Sequence, residues 1–411
     1  MPEKEQDNDN TKTTKRKKKR IWLAAVVIVV TAIIACLLLS LRNSRSVDER
    51  LAAIEAARAI PDSENAAVIY YHLARSGGRT AARPGYSDVR DTFKFIRPWR
   101  GEDYPKVAAW LEDQQDVIGD LLKASKFEKY RYKEFVEPGT VIMTSGAAQL
   151  SLYRFAAQYG IGDRWIDLLI CALSNDIAQG RKAAAIEKYL CLMQMANHQR
   201  QDTDVIEFAG GVGTEMMALL AMASFIVEGS AAREDLEIVE TSAPTTRDNW
   251  ARDSATMVEV YRLNMKKFGY RDRLRYLWQD FSSKSLLDRV KDGYLTGLAA
   301  RRGTHILIAL RRHNNRTGHW PKSLDEIRSS LTKEILTDPQ NNGPFVYRRT
   351  KDDFTLYSKG KNKIDEAGIF SFIPGSGADD WPIWPPPARE NKVSEESTDP
   401  NEPTTPLEPV Q

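Results

Sequence analysis

Side chains able to do chemistry are spread thinly along this 411-residue chain. The five histidines, His72, His198, His305, His313 and His319, show no metalloprotease-type spacing, and none stands with cysteines in a ligand pattern, so surface or capping roles are expected. Ser330-Leu331-Thr332-Lys333 matches a Ser-x-x-Lys pair, in which a lysine amine takes the serine proton, but the chain has no Lys-Thr-Gly segment to complete such a site. Glu112, Asp113 and Asp116 fall at helical spacing and read as an acidic solvated face. Gly210, Gly211 and Gly213 have the wrong spacing for a dinucleotide fingerprint and follow no strand, so close packing or a helix break is expected there. These patterns assign no catalytic or cofactor-binding residue.

The elements that would position any site begin with the N-terminus. A basic cluster, Lys15-Arg16-Lys17-Lys18-Lys19-Arg20, runs into an apolar stretch from Ile21 to Leu41, long enough for a helix that needs about 20 such residues to cross a hydrocarbon core. Residues 1–20 then form a basic cytoplasmic tail and 21–41 a transmembrane helix, because Lys and Arg near a span stay on the cytoplasmic side. Trp22 sits where an indole favours the headgroup boundary. The run is longer than the apolar core of a cleaved signal peptide. Ile33-Ile34-Ala35-Cys36 matches a lipobox, but Leu37-Leu38-Leu39 keeps the stretch apolar beyond the cysteine. A plain single-pass anchor is the expectation, with nearly all of the chain exported.

Composition bounds the exported part. An apolar content of 42 % supports a sizeable core, and a net charge of +3, with the basic excess in the N-terminal tail, leaves no nucleic-acid footprint. The tail lysines are expected to meet the anionic lipid of the bilayer. Three cysteines are too few for a disulfide framework. Cys171 and Cys191 flank a turn at Gly180 and would lie within about 3 Å in height on antiparallel helices at about 1.5 Å rise per residue. Helix axes packed about 8 to 10 Å apart are wide for a bridge, so buried free thiols are expected.

The pattern is mainly α over 47–315. Helices are expected at Val47 to Ala59, Ala66 to Arg75 with a cap at Asp62 or Ser63, and Asp103 to Lys123, with an irregular connection over Arg79 to Glu102. The richest block lies between Ser145 and Glu228. Trp165, Leu168, Leu169 and Ala172 form one stripe; Ile186, Tyr189, Leu190, Met193 and Ala196 form another after Gly180, which makes a helical hairpin. The pair resembles tetratricopeptide-type helix pairs, yet no 34-residue period runs through the chain, and an irregular bundle is the expectation. Val205 to Val227 is apolar, but Glu207 and Glu215 within it favour a buried core helix over a second span. Further helices are expected at Ser254 to Phe268, around Tyr276 to Leu287, and along a long segment carrying Leu295, Leu298, Ile306 and Leu310.

The character changes at Thr317-Gly318. Gly318-His319-Trp320-Pro321-Lys322-Ser323-Leu324 is followed by Asp338-Pro339, then by Phe345-Val346-Tyr347-Arg348 and Phe354-Thr355-Leu356-Tyr357-Ser358, two runs that read as a β-hairpin. Gly360-Lys361-Asn362 and Ala378-Asp379-Asp380 come after it. This order resembles the C-terminal half of the type II secretion major pseudopilins: a Gly-x-Tyr-Pro-x-Ser-Leu turn after a long helix, an Asp-Pro, a Tyr-containing hairpin and an Asp-rich closing loop. Residues 316–387 are therefore expected to be a small pseudopilin-like α+β module, and 388–411, rich in Pro, Glu, Ser and Thr, a disordered tail.

In that family the closing loop binds calcium, and oxygen-rich loop side chains are what such a hard cation requires. By position the resemblance implies Asn362, Asp379 and Asp380 as metal ligands, with Asp365 between them. The chain departs from the family's Gly-Ala-Asp-Gly, because Gly360-Lys361-Asn362-Lys363 puts two cations beside the loop and an amide in place of a carboxylate. The missing processing site and the large helical insertion set the chain apart from pilin subunits. In layout it resembles uncharacterised bacterial single-pass membrane proteins with the same ending. The resemblance implies an inner-membrane protein with a periplasmic C-terminal domain, acting as an interaction or scaffold protein beside envelope or secretion-machinery proteins. The alternative is an exported hydrolase with a dispersed site.

Overall fold

In the computed structural model the described residues are 22, 28–31, 46–75, 95–131, 163–229, 231–243, 247–267, 286–370 and 378–386. The basic tail, Cys36, most of 21–41, the expected helix start near Tyr276 and the C-terminal tail lie outside them. Trp22 and residues 28–31 are helical, and Ile28, Val29 and Val30 are not covered by the rest of the protein.

The fold is mainly helical with one small antiparallel sheet. Helix α1 covers residues 46–57. Helix α2 (Ala66–Arg75) has the expected bounds, but its start is fixed by Asn65 rather than by Asp62 or Ser63. The Asn65 side chain accepts from the Ala67 and Arg131 amides and donates to the Arg131 carbonyl, while Asp62–Glu64 forms a short 3-10 turn. The helix expected from Asp103 divides at Gln114 into α3 (Pro105–Asp113) and α4 (Gln115–Ala124). Proline suits the first position of α3, where its missing N–H would have no helical partner.

Helices α5 (Asp163–Ala178) and α6 (Lys182–Gln201) make the hairpin about Gly180. Both Cys171 and Cys191 are buried free thiols. Helix α7 (Val205–Val227) opens with Asp204, whose carboxylate accepts from the Ile206 and Glu207 amides as an N-cap. Among the described residues α7 is the one helix long and apolar enough to cross a membrane, and 78 % of its most apolar window is buried within the protein. It is the central core helix, packed between α6 and α10. Gly211 marks one close approach: a Cβ there would lie 2.6 Å from the Ala196 carbonyl oxygen of α6. Helix α8 (Arg233–Ser242), a single turn at Trp250–Asp253 and α9 (Ala255–Lys267) lead toward α10 (Leu286–Thr317), 32 residues long.

A buried ionic cluster stands inside this helical body. Glu215 of α7, almost fully buried, receives a forked contact from Arg301 of α10, Nε at 2.5 Å and Nη2 at 2.8 Å, and a further contact from Arg200 of α6. Burial alone would push the Glu215 carboxyl up, but the two guanidiniums outweigh it and hold it below its ordinary value. His198 is held differently. Its Nε2–H donates to the Phe127 carbonyl, its Nδ1 accepts from the Tyr70 hydroxyl, and burial pushes its pKa down to about 4.

After α10 the chain turns at Gly318, and a 3-10 helix (Leu324–Ser330) follows, capped by the Ser323 hydroxyl. Strands β1 (Val346–Arg349) and β2 (Phe354–Ser358) form the expected hairpin, with Val346 opposite Tyr357 and Arg349 opposite Phe354. A third strand, β3 (Trp381–Trp384), pairs antiparallel with β2 across a register shift at Leu356/Tyr357. Pro382 cannot donate to a ladder, and β3 can carry it because it is an edge strand. All four β3 residues are buried, since the strand packs on α7 and α10.

Candidate metal centre

The Asp-Pro motif sets the frame of the closing loop. Asp338 is fully buried; its Oδ1 accepts from the Gln340 amide, and its Oδ2 accepts from the Ser358 hydroxyl at 2.7 Å and from the Asn341 side-chain amide. Burial pushes its carboxyl up, against the pull of these donors. Asn341 also donates to the Gly360 carbonyl at 3.0 Å, so the node fastens the end of β2 and the start of the loop to one buried point.

From Gly360 the loop is shaped by its own polar side chains. Asn362 accepts from the Ile364 amide through Oδ1 and donates to Glu366 Oε1 through Nδ2, both at 2.6 Å. Asp365 is engaged from the hairpin: Oδ2 meets Arg348 at 2.6 Å, and Oδ1 accepts the Tyr357 hydroxyl at 2.7 Å and the Ala367 amide at 3.1 Å. The Tyr357 hydrogen bond leads the forces that hold the Asp365 carboxyl below its ordinary value. Of the two cations beside the loop, Lys361 turns its ammonium to Asp292 of α10 at 2.6 Å.

Asp379 and Asp380 return across this loop. Asp379 Oδ2 accepts from the Lys361 and Asn362 amides at 2.9 and 3.1 Å, and Asp380 Oδ2 accepts from the Gly368 amide at 2.8 Å. Their other oxygens, Asp379 Oδ1 and Asp380 Oδ1, are buried with no hydrogen-bond partner, as is Glu366 Oε2. Glu366, Asp379 and Asp380 each bring a carboxylate oxygen within 4.8 Å of the other two. Burial first, and the neighbouring Glu366 second among the forces raising it, push the Asp380 carboxyl up to about 6.

Three carboxylates gathered this closely, each partly desolvated, repel one another unless a cation or a proton lies among them. Hard oxygen donors fit calcium, whose variable coordination number accepts carboxylate, carbonyl and water oxygens together. Glu366, Asp379 and Asp380 would hold such an ion, which would supply positive charge that ties the loop's two halves together. Of the residues implied by the resemblance, Asp379 and Asp380 come together here. Asn362 orients Glu366 with its amide, and Asp365 is bound up with Arg348 and Tyr357. Glu366 was not foreseen because the family's pattern has no carboxylate carried to that position; its one sequence signal is that it follows Asp365 directly.

The remaining candidates have ordinary surroundings. The Ser330 hydroxyl donates to the Ile327 carbonyl, and Lys333 is exposed. Glu112, Asp113 and Asp116 are exposed on α3 and α4. His305 Nε2 donates to the Ala243 carbonyl at 2.9 Å. Comparison with known proteins finds no family model, no curated protein and no solved structure that matches the chain.

Proposed function

We propose that the chain is a membrane-anchored interaction or scaffold protein of the bacterial envelope, with residues 21–41 as its anchor and a calcium ion closing its pseudopilin-like C-terminal module. The observations that carry the calcium reading are that Glu366, Asp379 and Asp380 bring carboxylate oxygens within 4.8 Å of one another and that each holds one buried oxygen without a hydrogen-bond partner. The anchor reading is supported by the basic cluster before Ile21 and by the uncovered apolar side chains of Ile28, Val29 and Val30. On this reading the helical body and the module stand on the periplasmic side of the inner membrane, where a closed module at the far end of the chain can meet an envelope or secretion-type assembly.

The test uses the full chain in detergent, titrated with calcium at constant ionic strength with magnesium as the control. Calcium is expected to raise the thermal midpoint, because an ion that binds only the folded state stabilises it by about 2.7 kcal/mol at 100 times its Kd. Asp380→Asn should abolish the rise. An unchanged midpoint at millimolar calcium overturns the calcium reading. The interaction reading is tested by crosslinking in intact membranes from residues on the closing loop: crosslinks to secretion-machinery components support it, and crosslinks to lipid alone refute it.

A further inference from the structure

Where α10 meets the module, a second set of ligand-type side chains gathers from three short pieces of chain. His313 lies one turn before the end of α10 and is 8 % exposed, yet neither of its ring nitrogens has a hydrogen-bond partner. A buried polar atom left this way costs about 1–3 kcal/mol and calls for a reason. Its Nε2 faces Glu326 Oε2 at 3.8 Å, too far for a hydrogen bond. The His319 ring lies beside it, with centroids 5.8 Å apart.

The surroundings of the other two groups prepare them as ligands. The Thr317 hydroxyl bonds to the carbonyls of both His313 and His319, and Gly318 takes φ 77°, so the helix end and the turn hold the two histidines on one side. His319 Nδ1 faces the Trp320 carbonyl at 3.3 Å, which places the ring proton on Nδ1 and leaves the Nε2 lone pair available. Glu326 Oε1 accepts from the Lys322 amide at 3.0 Å, which leaves Oε2 as its free oxygen.

We propose that His313, His319 and Glu326 form a site for a zinc-class divalent ion at the junction of α10 and the C-terminal module. Two imidazoles and one carboxylate suit a borderline ion such as zinc, whereas the all-carboxylate cluster of the closing loop suits calcium. Bonds of about 2.0–2.2 Å from one ion span the present gap between His313 and Glu326. The three ligand atoms do not yet stand together; the exposed His319 completes the set by rotating its ring away from the Trp320 carbonyl and onto the ion, and water takes the remaining position.

The experiment is a zinc titration of the tag-free full chain in detergent, with saturating calcium so that the acidic loop does not compete, read against a fluorescent zinc indicator. One equivalent should bind, and cobalt in its place should give the visible absorption of a four-coordinate ion. His319→Ala and Glu326→Gln alter exposed residues and should keep the metal-free thermal midpoint while weakening zinc at least about 10-fold, the lower end of what even an outer-shell change costs. No bound zinc at 100-fold excess over protein, or an affinity unchanged in either variant, overturns the proposal. Calcium stabilisation that survives in both variants keeps this outcome separate from that of the closing loop.

Discussion

Replacing Glu215 by Gln removes the carboxylate that both Arg200 and Arg301 contact inside the helical body. The side chains of Glu215, Arg301 and Arg200 are 2, 6 and 21 % exposed, so water cannot take over the lost role for Arg301. Glu215 accepts three charge-assisted contacts, and at about 1.5–3 kcal/mol each these set a ceiling of about 4.5–9 kcal/mol. The carboxylate's own desolvation penalty disappears with it, and the Gln oxygen keeps one acceptor. A buried pair broken on one side costs about 3–5 kcal/mol, and that is the expected loss. The assay is urea unfolding of the full chain in detergent, followed by tryptophan fluorescence.

The same variant tests the pH dependence. The folded pKa of Glu215 lies below its ordinary 4.5, so its contribution is complete above that value and is lost as pH falls through the depressed folded one. Wild type should lose its advantage over Glu215→Gln as the solution is taken below about pH 4.5. A loss under about 1 kcal/mol at neutral pH, or a gap between the two proteins that does not narrow in acid, would refute the reasoning.

Two further predictions rest on packing. Gly303→Ala drives a Cβ into the Ile383 side chain of β3 and should destabilise by about 1–3 kcal/mol despite the better helix propensity of alanine. Gly119→Ala in α4 meets nothing within 4 Å and should instead stabilise by up to about 1 kcal/mol; equal thermal midpoints for the two variants would contradict both statements. Burial pushes the Cys191 thiol up to about 12, and Cys171 is fully buried, so iodoacetamide should label neither in the folded chain and both after denaturation without reductant. Thiols still blocked in the denatured, unreduced chain would mean that a bridge forms.

Legibility in the sequence followed the range of the interactions. The Ala66–Arg75 helix, the Gly180 turn and the β1–β2 hairpin are written in local spacing and turn residues, and the structure has them where that spacing puts them. The division of Asp103 to Lys123 at Gln114 carries no glycine or proline to announce it. Strand β3 was hidden because Trp381-Pro382-Ile383-Trp384 is apolar on both faces and so shows no alternation, and its proline argued against a ladder. The acidic charge of Glu215 argued locally for a core helix, but its partner Arg301 stands 86 residues away, a separation that no spacing rule reaches. The closing loop was partly legible for the same reason. Asp379 and Asp380 could be carried over by position, while Glu366 joins them only through a return of the chain that depends on the Asp338 node and on β3.

The strand that the sequence concealed also explains why an ion at the loop would act on more than the loop. Asp380 is followed directly by Trp381, so the acidic cluster fixes the first residue of β3. That strand lies on α7 and α10 with Ile383 against Gly303, and beyond it Arg97 of the helical body donates to the Pro386 carbonyl. Arg302 of α10 meets the module from the other side, donating to the Thr337 carbonyl at 2.7 Å beside the Asp-Pro node. Without an ion, repulsion among these carboxylates would act on the start of a strand that buries four side chains against α7 and α10. Cation binding would relieve that repulsion at the same point, which would make global unfolding of the whole chain, rather than local order in the loop, the sensitive measure of calcium.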